Sequence, residues 1–176
     1  MRTVHALLFA AALATPAIAA DFKLPLVDGG TVELAAVRAK GPVLVDFWAT
    51  WCHPCQEELL HVQQLYQTYA DSGISFLAVA VDDAKTKGKV RSVARGKRLT
   101  MPVLLDSEQE AMRSFGLTDV PGVFILGPDG ATLYQHTGYK PGDEAQLEQA
   151  VRAAIHHTAA GDTASADTTA KGGANK

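Results

Sequence analysis

The segment VLVDFWATWCHPCQEEL, Val43 to Leu59, constrains the fold more than any other part of the chain. Its first six residues are an apolar, β-branched run without alternation, the pattern of a fully buried strand. From His53 to Tyr69 the apolar positions Leu59, Val62, Leu65, Tyr66 and Tyr69 then recur at helical spacing, and Gly73 stands where such a helix stops. A buried strand running straight into an amphipathic helix requires a sheet with helices packed on it, so an α/β domain is expected.

The remaining pattern repeats that alternation. ISFLAVAV (Ile74 to Val81) reads as a second buried strand, followed by a basic helix, the short run MPVLL (Met101 to Leu105) and a helix from about Glu108 to Phe115 closed by Gly116. VFIL and TLYQH, separated by the turn GPDG, read as an antiparallel hairpin, and a smaller one is expected where FKLPL and TVEL flank VDGG. A last helix from Asp143 to about His156 carries Leu147, Val151 and Ile155 on one face. With 47% hydrophobic and 20% charged residues, the chain has the apolar content for one packed domain, expected over residues 21–157.

The ends are expected to lie outside it. Arg2, the apolar run ALLFAAALA and the small residues Ala17 to Ala19 read as a signal peptide over residues 1–20, too short and too interrupted by Pro16 to serve as a membrane anchor. Export to the periplasm is the implied localisation, a compartment where cysteine pairs are ordinarily oxidised. No cysteine lies near the cleavage site, so lipid attachment there is excluded. Residues 158–176 contain no large apolar side chain and are expected to be a disordered tail. A net charge of −3 argues against nucleic acid and anionic membrane as partners. The basic stretch Lys85 to Arg98 reads as a solvated helix face turning Val90 and Val93 to the core, with an acidic docking partner as the alternative.

Both cysteines of the chain, Cys52 and Cys55, fall at the strand-to-helix junction. As a brace they would close a loop too short to remove much entropy from the unfolded chain. As a metal clip they would need further ligands from His53, His61 or a carboxylate, and no second pair stands at matching spacing, so no metal is expected. As a reagent they are well placed. Cys52 at a helix N-terminus meets unpaired N–H groups and the positive end of the dipole, which favour thiolate, and Cys55 lies one turn in. Asp46 stands in the middle of an apolar strand, where an acid seldom stays without a partner or a purpose. Glu58 falls one turn from Cys55 on the same helix face, whereas Glu57 points elsewhere.

VLVDFWATWCHPC resembles the active-site strand, turn and helix start of the thioredoxin superfamily, and with QEEL and VPGVFILGPDG the chain looks most like its exported TlpA/ResA-like thiol-disulfide oxidoreductases. The similarity runs from about Phe22 to Ile155. The related peroxiredoxin motif P-x-x-x-T-x-x-C is absent, because counting back from either cysteine finds Val45 and Ala49, or Trp48 and Cys52. The resemblance implies a thioredoxin-like fold: a central mixed β-sheet flanked by helices, with an N-terminal hairpin and an extra helix and strand inserted. It implies Cys52 as exposed nucleophile, Cys55 as buried resolving cysteine, and a cis Pro121 facing the disulfide, with Val120 pairing its backbone to an extended substrate segment. Asp46 matches a buried proton-relaying aspartate and Glu58 the acid of ResA-like proteins, so both are candidate bases. Trp48 and Trp51 are expected around the pair, with Trp51 as a substrate contact. Of the residues between the cysteines, Pro54 matches thioredoxin, whereas His53 matches neither thioredoxin nor the oxidant DsbA. His53 either stabilises Cys52 thiolate or points into water, and a potential between the two proteins, nearer thioredoxin's, is expected.

The resulting expectation is a periplasmic reductase of disulfides in partner proteins, working by dithiol-disulfide exchange with no cofactor beyond its redox-active disulfide. The family implies recharging by a membrane electron donor of the CcdA/DsbD type, and cytochrome c maturation as a frequent role. A disulfide oxidase or isomerase is the enzymatic alternative. A redox-sensing or metal- or haem-binding module is the non-enzymatic one.

Overall fold

A computed structural model of the chain describes residues 21–166, with side chains described to residue 156. Its centre is a five-stranded mixed sheet in the order β5-β4-β3-β6-β7. The strands are β3 (Val43–Trp48), β4 (Ser75–Ala80), β5 (Val103–Leu105), β6 (Gly122–Leu126) and β7 (Thr132–Thr137). β3 is parallel to β4, and β4 to β5; β6 runs antiparallel to both β3 and β7. VLVDFW thus occupies the middle of the sheet, and every one of its residues is buried.

The helices follow the apolar periodicity. α2 (His53–Tyr69) packs on β3 and β4, while α5 (Asp143–Ala166) lies beside α2 and against β6 and β7. On the opposite face Phe47 of β3 meets Phe115 and Phe124 at ring distances of 5.2 and 6.2 Å, and Phe22 closes on Phe115 at 6.1 Å. Alternation along a strand therefore commits Leu44, Asp46 and Trp48 to the face covered by α2 and α5. α4 (Glu110–Ser114) precedes Phe115, and the buried Asp106 carboxylate accepts the backbone N–H of Met112 at 2.8 Å. After α2 a short 3-10 turn ends at Gly73, whose φ of 85° needs a residue without Cβ.

The leading hairpin forms from β1 (Lys23–Pro25) and β2 (Thr31–Glu33) and docks along β5, where the Val27 N–H donates to the Val103 carbonyl at 2.9 Å. It thereby covers an otherwise open sheet edge. The basic segment folds as a 3-10 turn and α3 (Lys87–Gly96), with Val90 buried and Val93 half-buried. Arg91 pairs with Asp28 at 3.0 Å, and Lys97 donates to the Gln56 carbonyl at 3.0 Å, so part of the basic run ties elements together.

Two features depart from the sequence pattern. A short helix, α1 (Leu34–Arg38), follows the hairpin and buries Leu34; five residues are too few to show a period. The final helix continues to Ala166, beyond the boundary expected near residue 157 and into the segment expected to be disordered. Of the nine residues 158–166 four are alanine, the best helix former, and none is proline, so the helix begun at Asp143 can run on without a large apolar residue to anchor it. The signal peptide expected at residues 1–20 and the rest of the expected tail, residues 167–176, lie outside the described residues.

Candidate active site

Cys52 is the N-cap of α2, with His53 and Pro54 opening the helix. Its extended backbone turns the Sγ back onto the first turn, where the Cys55 N–H donates to it at 3.2 Å. A sulfur that already accepts a helix N–H is placed to carry negative charge when reduced. The two sulfurs are bonded at 1.98 Å with the Cα atoms 5.3 Å apart. The exposed nucleophile expected at Cys52 is largely covered: the residue is only 5% exposed, and Cys55 is fully buried. Adjacent Trp51 stands out into solvent at 61% exposure, whereas Trp48 is buried in the core. The two tryptophans therefore do not share a role around the disulfide.

Facing the pair from the other side is the loop before β6. The Val120–Pro121 bond is cis, and the Val120 carbonyl oxygen lies 3.7 Å from Cys52 Sγ. The strand β6 begins at Gly122, directly beside β3, which brings Pro121 to the cysteines across some 66 residues of sequence.

Asp46 of β3 acts by its charge on Glu58, which stands one helical turn beyond Cys55 on α2. Both are buried, Glu58 at 3% exposure, and neither Asp46 oxygen nor Glu58 Oε2 has a hydrogen-bond partner. Trp48 Nε1, two residues along the same strand face, is unpartnered as well. Burial pushes the Asp46 carboxyl up to about 7. Burial, and then the charges of Asp46 and Asp143, push Glu58 up to about 9. Two carboxyls in so dry a site titrate as a unit, with the second ionisation held back by the first. Glu58 is thus no solvated helix residue, while Glu57, as expected, faces outward.

His53 is not brought to Cys52. Its ring is 88% exposed and its Nδ1 lies 3.4 Å from Glu57 Oε1, one turn on. The sequence reading missed the groups that fix the active-site turn. The buried carboxylate of Asp82, at the end of β4, accepts the Thr50 N–H at 2.9 Å and the Thr50 hydroxyl. Gln56 donates to the Thr50 carbonyl at 2.8 Å. The available signal was the acid directly following the apolar run ISFLAVAV, the same signature that singled out Asp46. Among the described residues, no cluster of three or more His, Cys, Asp or Glu side chains is arranged to hold a metal ion.

A vicinal cysteine pair capping a helix at the end of the central strand, opposed by a cis-proline loop, defines a thioredoxin-like thiol-disulfide oxidoreductase. Residues 16–134 match the AhpC/TSA family, and the chain belongs to it. Among curated relatives, it is similar to the thiol-disulfide oxidoreductase ResA of Geobacillus thermodenitrificans, 32% identical over 127 residues, which cover 72% of this chain and 71% of that one. ResA of Bacillus thuringiensis subsp. konkukian is 29% identical over 131 residues, covering 74% and 73%. Among solved structures, a putative thiol:disulfide interchange protein DsbE from Chlorobium tepidum superposes with a TM-score of 0.73 at 30% identity, covering 82% of this chain and 99% of that one.

Proposed function

We propose that this oxidoreductase is exported to the periplasm and works there as a reductant, passing electrons from a membrane dithiol donor of the CcdA/DsbD type to disulfides of specific partner proteins. The observation that carries the reading is the unpartnered Asp46–Glu58 pair beneath Cys55. A resolving thiol buried away from water needs a base at hand, and carboxyls pushed towards neutrality suit that task.

Cys52 thiolate, stabilised by the Cys55 N–H, attacks a partner disulfide, and one partner sulfur leaves as a thiolate. Cys55 then gives its proton to the acid pair and attacks Cys52 Sγ, releasing the partner's second sulfur. Two electrons pass to the partner, and the Cys52–Cys55 disulfide is formed. The Val120 backbone and exposed Trp51 flank the sulfur that reacts, so an extended partner segment is held between them. With His53 turned towards Glu57 and water, no imidazolium lies against Cys52 to favour the reduced form, which supports a reducing potential. Maintenance of reduced cysteines for haem attachment in cytochrome c maturation fits this chemistry, as does the similarity to proteins named ResA and DsbE.

A Cys55→Ala variant expressed with its leader tests the reading. Covalent partner adducts through Cys52 should accumulate in the periplasmic fraction, and wild-type protein with a recycling donor should reduce insulin faster than it oxidises a dithiol peptide. Absence of adducts, or faster oxidation than reduction, would overturn it.

A further inference from the structure

The exchange chemistry proposed above deposits a proton on two carboxyls that have almost no contact with water. The disulfide side offers no way out, since Cys55 is fully buried and Cys52 nearly so. The sheet register shows another route. Asp46 of β3 is paired with Val123 of β6, and Val123 with His136 of β7, so the three side chains stand in one cross-strand row on the face covered by α2 and α5. With neighbouring strands about 4.8 Å apart, the row spans roughly 10 Å from the buried acid to the edge of the sheet.

A narrow pocket lies along this row. Of the nine residues lining it, seven have titratable side chains, and Glu58 is one of them. The others are His61 from α2, Tyr134 and His136 from β7, Tyr139 from the following loop, and Asp143 and Glu144 from the start of α5; Asp46 of β3 does not line the pocket and acts on it through its charge on Glu58. His136 stands at the mouth with its side chain 30% exposed, and its Nε2 lies 3.2 Å from Asp143 Oδ2. Asp143 is held in turn by the Lys140 N–H at 2.8 Å, and the Tyr139 hydroxyl donates to Glu144 at 3.3 Å. Tyr134, two residues before His136, faces the same way and is half-buried; its hydroxyl is raised by burial and by the Asp143 and Glu58 charges. Asp143 itself is held below the usual carboxylate range, first by the Lys140 N–H and also by His136, so it remains an anion beside the imidazole.

We propose that the buried acid pair exchanges protons with solvent from Glu58 through this pocket, past the Val123 side chain, and that His136, oriented by Asp143, is the group that hands them to water. Imidazole is the side chain suited to that transfer near neutral pH. His136 touches neither the sulfurs nor the substrate; it acts through Glu58 and Asp46. Tyr134 and His61 narrow the passage beside it.

An aromatic disulfide whose thiolate products stay unprotonated provides the test. Mixed with the reduced protein, Cys52 thiolate and Cys55 thiol, in weak buffer at about pH 8, it yields two coloured thiolates, the Cys52–Cys55 disulfide and the one proton of Cys55, which a pH indicator follows separately. In the wild type the Cys55 proton should appear with the colour of the second thiolate. In His136→Ala and His136→Gln that proton should lag behind the colour by tenfold or more, and added imidazole should abolish the lag in proportion to its concentration. Asp143→Asn, which leaves the imidazole but not its partner, should give a smaller lag. Protons that keep pace with the colour in both His136 variants, or a lag that imidazole does not shorten, would overturn the proposal. A wild type that gives no colour would instead overturn the exchange reading on which it rests.

Discussion

Replacing Asp46 by asparagine should flatten the pH dependence of stability of the oxidised protein. Asp46 sits at about 7 when folded against an ordinary 3.8, so between those values the folded chain binds more protons than the unfolded one. Stability is therefore fully present below the unfolded value and lost as pH rises through the folded one. A shift of roughly three units at ~1.4 kcal/mol each is about 4 kcal/mol in all, and more than half of it falls between roughly pH 5 and pH 8. Glu58, raised in the same direction, steepens the wild-type curve further, and part of its shift comes from Asp46 itself. The asparagine removes both contributions of Asp46 while keeping the side-chain volume. Urea unfolding of oxidised protein across this range should show the wild type losing at least ~2 kcal/mol more than Asp46→Asn, a difference of about 1 M in midpoint at an m-value of roughly 2 kcal/mol/M. Parallel curves for the two proteins would mean that Asp46 ionises in the folded protein as readily as in the unfolded chain, and the raised carboxyl assigned to Cys55 as its base would have to be sought elsewhere.

Other outcomes follow from the same geometry. Glu58→Gln should slow resolution of the mixed disulfide by roughly tenfold or more while leaving the first attack by Cys52 intact, as separated by rapid mixing with a coloured disulfide; equal slowing of both steps would refute its placement in the base pair. His53→Ala should move the reduction potential by less than about 30 mV, a tenfold change in the exchange constant, when equilibrated against glutathione; a larger fall would show that the imidazole reaches Cys52 after all. Asp82→Ala should cost about 1–3 kcal/mol by leaving the buried Thr50 N–H unpaired, read as a lower unfolding midpoint at constant m-value, and should broaden the signals of the turn residues Ala49 to Trp51.

The parts of the fold that sequence made legible were those with a long period or a sharp boundary. VLVDFW and the helix His53–Tyr69 were readable to the residue because uninterrupted burial meets a proline-opened helix at a cysteine cap. α1 was invisible because five residues on a surface make no period. The end of α5 was misplaced because the absence of large apolar side chains does not by itself end a helix already begun, and residues 158–166 contain no proline to stop it. At the site, the two acids were legible as charges where charges do not belong. Their proximity was not, since it depends on how α2 lies across β3. Nor does a sequence show that Cys52 is covered or that His53 turns away, because both depend on side-chain direction at a helix start. Asp82 carried the same signal as Asp46 and was passed over because no motif drew attention to it.

The position of Asp46 on the central strand has one more consequence. β3 is hydrogen-bonded on both sides, by β4 and by β6, so the backbone beneath the carboxyl has no freedom to withdraw when the charge changes. The acid is mounted on a strand held from both sides, while the groups that answer its charge stand on helices and a sheet edge. Reorganisation during each redox cycle is thereby confined to one side of the site. The protein behaves like a fixed electrode with a compliant cover, returning to the same starting geometry after every turnover.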